Sequence, residues 1–159
     1  MDEQQYRDTY HSVNERRCIF EKTINSRRCT CRKSRRFHLA DREGIACESA
    51  AGNALCRELL DHMRSKARFA LHLTHAEGPL PHAREIKVQT GGLLGLQGLL
   101  HPERAAADNI DNAIGLIDAA LTEFGNLESL PYDIIIHAIV RFEGRKKKRS
   151  RKRDDSSTD

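Results

Sequence analysis

The chain has 159 residues, of which 38% are hydrophobic and 31% charged, with a net charge of +4 and no tryptophan. This lean composition fits one ordinary globular domain with short tails. No apolar run reaches the roughly 20 residues of a membrane helix, and from the polar N-terminal residues we expect no signal peptide. Five cysteines without a secretory signal favour a reducing compartment, so we expect a cytoplasmic protein without a membrane span.

The N-terminal part of the chain shows little helical periodicity. Residues 1–14 form a polar segment, and residues 15–56 alternate short apolar pieces with basic and turn-forming residues. This pattern favours loops, turns and short strands over helices. All the cysteines lie here, at Cys18, Cys29, Cys31, Cys47 and Cys56. Because cysteines used as small apolar residues would scatter along the chain, the cluster predicts a metal site that organises this region.

The surroundings of the cysteines favour an iron–sulfur cluster, specifically a four-iron (4Fe-4S) centre. Basic residues between Arg16 and Lys33 crowd the first thiols and offset the negative charge of a four-thiolate site. Small residues at positions 44–52 surround Cys47 and leave room for a bulky cluster. The spacing matches neither a zinc ribbon nor a ferredoxin run. A structural zinc and reduced thiols without metal are the alternatives.

Such a centre needs four ligands, so one of the five cysteines is spare. We expect the ligands to be Cys29, Cys31, Cys47 and Cys56. Cys18 is then the dispensable cysteine, although it could equally replace one of the four. His38, which lies between Cys31 and Cys47 in the sequence, is the histidine to test as a substitute ligand.

Helical periodicity begins after Cys47 and predicts an α-rich region over residues 49–144. Ser49 or Asn53 caps a first helix that is expected to run to about His75. The segment 85–89 fits a short strand or the approach to a helix. The glycine-rich apolar stretch that follows, 90–100, predicts a buried helix or turn.

Two further segments complete the helical region. Pro102 is expected to open a second strong helix, whose apolar stripe runs to Phe124, with Gly125 as its stop. The segment after Pro131 favours a third helix, although its β-branched residues also allow a strand. The predicted fold class is therefore mainly α: one domain, 15–144, with a metal-organised cysteine-rich loop region packed on helices.

The C-terminal residues 145–159 are expected to be a disordered basic tail. Its cations could neutralise the phosphates of a nucleic acid without sequence specificity, or contact an anionic lipid or a protein. The candidate nucleic-acid-binding residues are Arg145, Lys146, Lys147, Lys148, Arg149, Arg151, Lys152 and Arg153.

The sequence contains no phosphate loop, dinucleotide fingerprint or catalytic triad pattern, so we do not predict an enzyme. The leading hypothesis is a metal-binding protein whose iron–sulfur cluster serves redox sensing, electron transfer or stabilisation of a protein partner. The competing hypothesis is a nucleic-acid-associated regulator or accessory protein with a structural zinc and a basic binding tail.

Overall fold

The computed structural model describes residues 2–72 and 80–144, and these residues are mostly helical, as the periodicity predicted. They form six α-helices, one 3₁₀ helix and a two-stranded antiparallel sheet. In chain order the elements are α1 (Glu3–Val13), α2 (Glu21–Asn25), β1 (Ser34–Leu39), β2 (Arg42–Cys47), α3 (Ala50–Ala67), α4 (His82–Leu100), the 3₁₀ helix (Pro102–Arg104), α5 (Ala113–Phe124) and α6 (Tyr132–Arg141). The predicted basic tail lies outside the described residues.

None of the helices in the described ranges combines the length and the hydropathy needed to cross a bilayer.

The N-terminal third has more regular structure than the sequence indicated. The segment 1–14 contains α1, which Asp2 caps by accepting a hydrogen bond of 2.7 Å from the backbone N–H of Gln5. Tyr10 is the buried residue of this helix, so no apolar stripe marks it in the sequence. The expected short strands are present as the β1–β2 hairpin, in which Leu39 pairs with Arg42 across a tight turn.

The predicted boundaries of two helices were wrong. Ser49 caps α3, as one of the two alternatives proposed, but the helix ends at Ala67, well before the expected end. The apolar pattern continues to Leu71, which is buried beyond the helix end, and this explains the overestimate. The stripe that appeared to start at Pro102 likewise begins in a loop, because Ile110 is buried before α5 starts at Ala113.

The two segments for which the sequence allowed either a strand or a helix are both helical. Residues 85–89 belong to α4, which continues without interruption through the glycine-rich stretch. The segment after Pro131 forms α6. Gly125, with a positive φ of 84°, ends α5 as predicted.

The core forms where α4 packs closely against α6. A Cβ atom added at Gly95 would lie 2.6 Å from the Cβ of Ala138, so only glycine permits this approach. The N-terminal third joins the same core through Phe20, Ile24 and Ile45, each at most 4% exposed. The cysteine-rich region is therefore packed on the helices rather than standing apart from them.

Candidate metal centre

Four of the five cysteines line one cavity of about 20 Å³. It lies where the loops before α2 and β1 meet the end of β2 and the first turns of α3 and α5. The cysteines that line it are Cys18, Cys31, Cys47 and Cys56. Apolar side chains, including Phe20, Ile24 and Ile114, form much of the remaining wall. The topology thus gathers thiols from four separate segments around one space.

Cys18 and Cys47 are held side by side by backbone pairing. The segment that carries Cys18 runs along β2, with hydrogen bonds from Cys18 N to Ile45 O (2.9 Å) and from Cys47 N to Arg16 O (2.8 Å). Between these two bonds, Arg17 forms an isolated antiparallel bridge with Ala46 of β2. These backbone hydrogen bonds fix which residues of the two segments lie opposite each other. Cys18 and Cys47 therefore have a defined relative position although they are far apart in the sequence.

Cys31 is positioned by a loop that pairs with the entrance to α5. Thr30 N donates to Ile110 O at 3.1 Å, and Ala113 N donates to Thr30 O at 2.8 Å. On the other side of the loop, the hydroxyl of Ser34 donates to Cys31 O at 2.7 Å. These bonds fix the peptide on both sides of the Cys31 thiol.

Cys56 reaches the cavity from the second turn of α3. The helix starts where Ser49 accepts a hydrogen bond of 2.9 Å from the backbone N–H of Gly52. Gly52 lines the cavity, and a Cβ atom there would lie 3.0 Å from Ile114 Cδ1.

The small residues at positions 44–52, which were predicted to surround a cluster at Cys47, have different roles. Gly52 lines the cavity, whereas Gly44 lies against the ring of Phe37.

Cys29 lies outside the cavity lining. It is 4% exposed, belongs to the apolar core, and its thiol donates to Thr30 O at 3.3 Å. The sequence favoured Cys29 as a ligand and Cys18 as the spare cysteine, whereas the structure groups Cys18 with the other three. His38 lies on β1 opposite Glu43 and does not line the cavity either.

The surroundings favour the protonated form of the Cys18, Cys29 and Cys56 thiols, because they raise the pKa of each. Burial is the main cause that raises the pKa of Cys18, to about 12, and nearby Cys31 and Cys47 add to it. Burial likewise raises the pKa of Cys29 and of Cys56. A thiol binds a metal as the thiolate, so a metal entering this cavity would displace protons and supply the compensating positive charge.

The basic residues expected around the thiols are distributed over several surfaces. Lys33 lines the cavity and is itself an exposed residue. Arg27 instead pairs with Glu43 at 3.1 Å, and Arg28 lies over the ring of Phe142. Arg16 and other basic residues line an outer groove of about 600 Å³.

Cys18 contributes to the wall of both the cavity and the outer groove. It is half-buried, as are Cys31, Cys47 and Cys56. The centre of the cysteine cluster is therefore close to the molecular surface, and Cys18 is the cysteine between the two spaces.

Within residues 2–72 and 80–144, no three histidine, cysteine or acidic side chains are already arranged as ligands of a single metal ion.

No protein-family model matches the sequence, and no curated protein or solved structure is significantly similar to it. The candidate nucleic-acid-binding residues 145–153 lie outside the described residues.

Proposed function

We propose that the protein carries an iron–sulfur cluster bound by Cys18, Cys31, Cys47 and Cys56 and used in redox sensing or electron transfer. The observation that supports this proposal is the single cavity that four thiols share. Thiolates are the usual ligands of iron–sulfur clusters, and four of them complete a four-iron centre. The fifth cysteine then has a packing role in the core.

The apolar surroundings of the thiols favour a redox cluster over a single zinc ion. In a zinc site each thiolate sulfur lies about 2.3 Å from the ion. The cavity of about 20 Å³ is close to the ~10–15 Å³ that one water molecule needs, so the thiols would have to move apart to hold a four-iron cluster. The apolar wall formed by Phe20, Ile24 and Ile114 also limits the access of water, which tunes the potential of a cluster.

The position of Cys18 favours a redox role. Cys18, Ile19 and Asn53 line both spaces, so a cluster in the cavity would be separated from the outer groove by these three residues, one of which is a ligand. A partner or a small oxidant in the groove would then be close enough to exchange electrons with the centre. A purely structural metal has no need of such access.

The test is anaerobic purification of the full chain, followed by measurement of iron, acid-labile sulfide and zinc. The proposal predicts iron and sulfide in equal amounts, and a broad visible absorption that bleaches on reduction. A colourless protein with one zinc per chain would replace the cluster with the structural-zinc alternative. A folded protein with neither metal would reject both.

Serine variants identify the ligands. We expect Cys18→Ser, Cys31→Ser, Cys47→Ser and Cys56→Ser each to lose most of the bound iron. Cys29→Ser is the matched control, because it removes a thiol outside the cavity, and it should retain the iron. Loss of iron in Cys29→Ser with retention in Cys18→Ser would instead support the ligand set favoured by the sequence.

A further inference from the structure

Only one face of α6 packs into the core. Tyr132, Ile135 and Ile139 are the buried residues of this helix. The opposite face is exposed, and we term it the outer face of α6. It consists of Asp133, Ile134, His137, Val140 and Arg141. Ile134 is 48% and Val140 44% exposed, and they are two of the four large apolar side chains that are exposed among the described residues. An apolar surface rimmed by polar residues is typical of a contact site.

The outer face of α6 is arranged symmetrically about His137. On a helix, residues three and four positions apart lie on the same side. Ile134 and Val140 are each three positions from His137, and Asp133 and Arg141 are each four positions from it. The face therefore has an acidic end and a basic end, with aliphatic side chains at equal spacings on either side of one central histidine.

The charges at the two ends of this face are not paired within the described part of the chain. None of the ion pairs there includes Asp133 or Arg141. The two residues are eight positions apart, which is about 12 Å along the helix axis, so they cannot pair with each other in one chain. A second α6 lying antiparallel on this face would bring Asp133 opposite the partner's Arg141, and Arg141 opposite the partner's Asp133.

The same arrangement brings the exposed aliphatic side chains together. Ile134 would face the partner's Val140, with a two-fold axis beside His137. A parallel arrangement would instead place like charges together at each end, which disfavours it. Next to the outer face, α4 and α6 border a groove of about 580 Å³ lined by Leu94, Ile134 and Ala138 among others. This groove leaves room for side chains of the partner.

We infer that the outer face of α6 is the contact surface of a homodimer, in which two α6 helices pack antiparallel about a two-fold axis at His137. The order of charges selects a second copy of this chain over an unrelated protein, because each charged group has its complement on the same surface of the partner. Such self-complementary contacts are the commonest in homo-oligomers. No cysteine lines the adjoining groove, so this inference does not depend on the metal centre.

The test is sedimentation velocity of the full chain over a concentration series that reaches about 0.5 mM, at which a complex with a Kd of about 0.1 mM is mostly formed. The parent chain should change from monomer to dimer as its concentration rises. Asp133→Arg and Arg141→Asp each place like charges opposite each other twice in a dimer. Each variant should therefore associate at least about 10-fold more weakly.

Two combinations of these variants should restore the dimer. In an equimolar mixture of Asp133→Arg and Arg141→Asp, a chain with two cations on the face meets a chain with two anions. The doubly reversed chain Asp133→Arg, Arg141→Asp should also pair with itself. A more stable fold cannot explain either restoration, because the natural acid is in the first turn of α6 and the natural base in its last turn, so each reversal opposes the helix dipole.

Glu123→Arg is the matched control, because it reverses an exposed acid on α5, and it should leave association unchanged. Circular dichroism of each variant checks that the helices are retained. A parent chain that stays monomeric throughout the series would overturn the proposal, since some other occupant would then cover this face. So would a dimer that the single reversals do not weaken, a variant mixture that stays monomeric, or an equal loss in Glu123→Arg.

Discussion

The cysteine-rich region and the α4–α6 pair belong to one fold but are held in place by different interactions. The α4–α6 pair relies on glycines that bring apolar helix faces into close contact. The cysteine-rich region relies on backbone pairing and on a few buried polar groups, of which Glu21 is the clearest example. Apolar periodicity therefore detects the first kind of region and gives little signal for the second.

Glu21 connects three parts of the N-terminal region. Its carboxylate accepts hydrogen bonds from the hydroxyl of Tyr10 on α1 and from the backbone N–H of Ile45 on β2, the latter at 2.8 Å. It also pairs with Arg17 at 2.7 Å, next to the cavity cysteine Cys18. The side chain is only 8% exposed, so no water can replace these partners in full.

The largest expected effect on stability is that of Glu21→Ala. The change leaves a buried N–H and a buried hydroxyl without their acceptor, so we expect a loss of about 3 kcal/mol in the free energy of unfolding. Denaturant unfolding followed by circular dichroism measures this loss. Glu15→Ala is the control on an exposed acid and should change stability by less than about 0.5 kcal/mol. Equal effects of the two variants would mean that the buried network does not hold this region.

The close approach of α4 and α6 gives the second prediction. Gly95→Ala places a methyl group 2.6 Å from the Cβ of Ala138, and we expect a loss of about 2 kcal/mol in stability. Gly98→Ala is the matched control on the same helix, because its nearest neighbour would be 3.4 Å away. That substitution should be neutral or stabilise the protein by up to about 1 kcal/mol, as expected for alanine in a helix. A neutral Gly95→Ala would show that the helices separate freely.

The smallest expected effect concerns Glu43 and pH. Burial opposes the ionisation of Glu43, but Arg27 and Arg36 outweigh it and hold the pKa of this carboxyl below its ordinary value of 4.5. The carboxylate therefore contributes stability above the ordinary pKa, and this contribution is lost as the pH falls through the lower pKa of the folded state. Unfolding curves from neutral to acidic pH should show a weaker acid dependence in Glu43→Gln. An identical dependence in both proteins would contradict this assignment.

The sequence was informative where apolar residues recur on one helix face. It located α3, α5 and α6, and it failed at boundaries where apolar residues remain buried beyond a helix, as at Leu71 and Ile110. It did not detect α1, because Tyr10 is the buried residue of that helix. Apolar periodicity gives little signal for a helix with one buried residue.

The candidate site was only partly accessible from the sequence. The clustering of cysteines identified the region, but the choice of four among five depends on contacts between distant segments. Cys18 reaches the cavity because its backbone pairs with β2, whereas Cys29 is directed into the core by the bridge to Ile110. Neither pairing leaves a pattern in the spacing of the cysteines. The sequence also did not predict that most of the basic residues lie away from the cysteine cavity, because their positions depend on partners such as Glu43.

The most direct test of the cysteine centre is a metal K-edge X-ray absorption spectrum of the anaerobically purified full chain. A cluster held by four thiolates should give an iron edge, a first shell of sulfur atoms and additional iron–iron scattering. A first shell of oxygen or nitrogen atoms, or a preparation without any metal edge, would contradict the proposal that four thiols around one cavity hold a cluster.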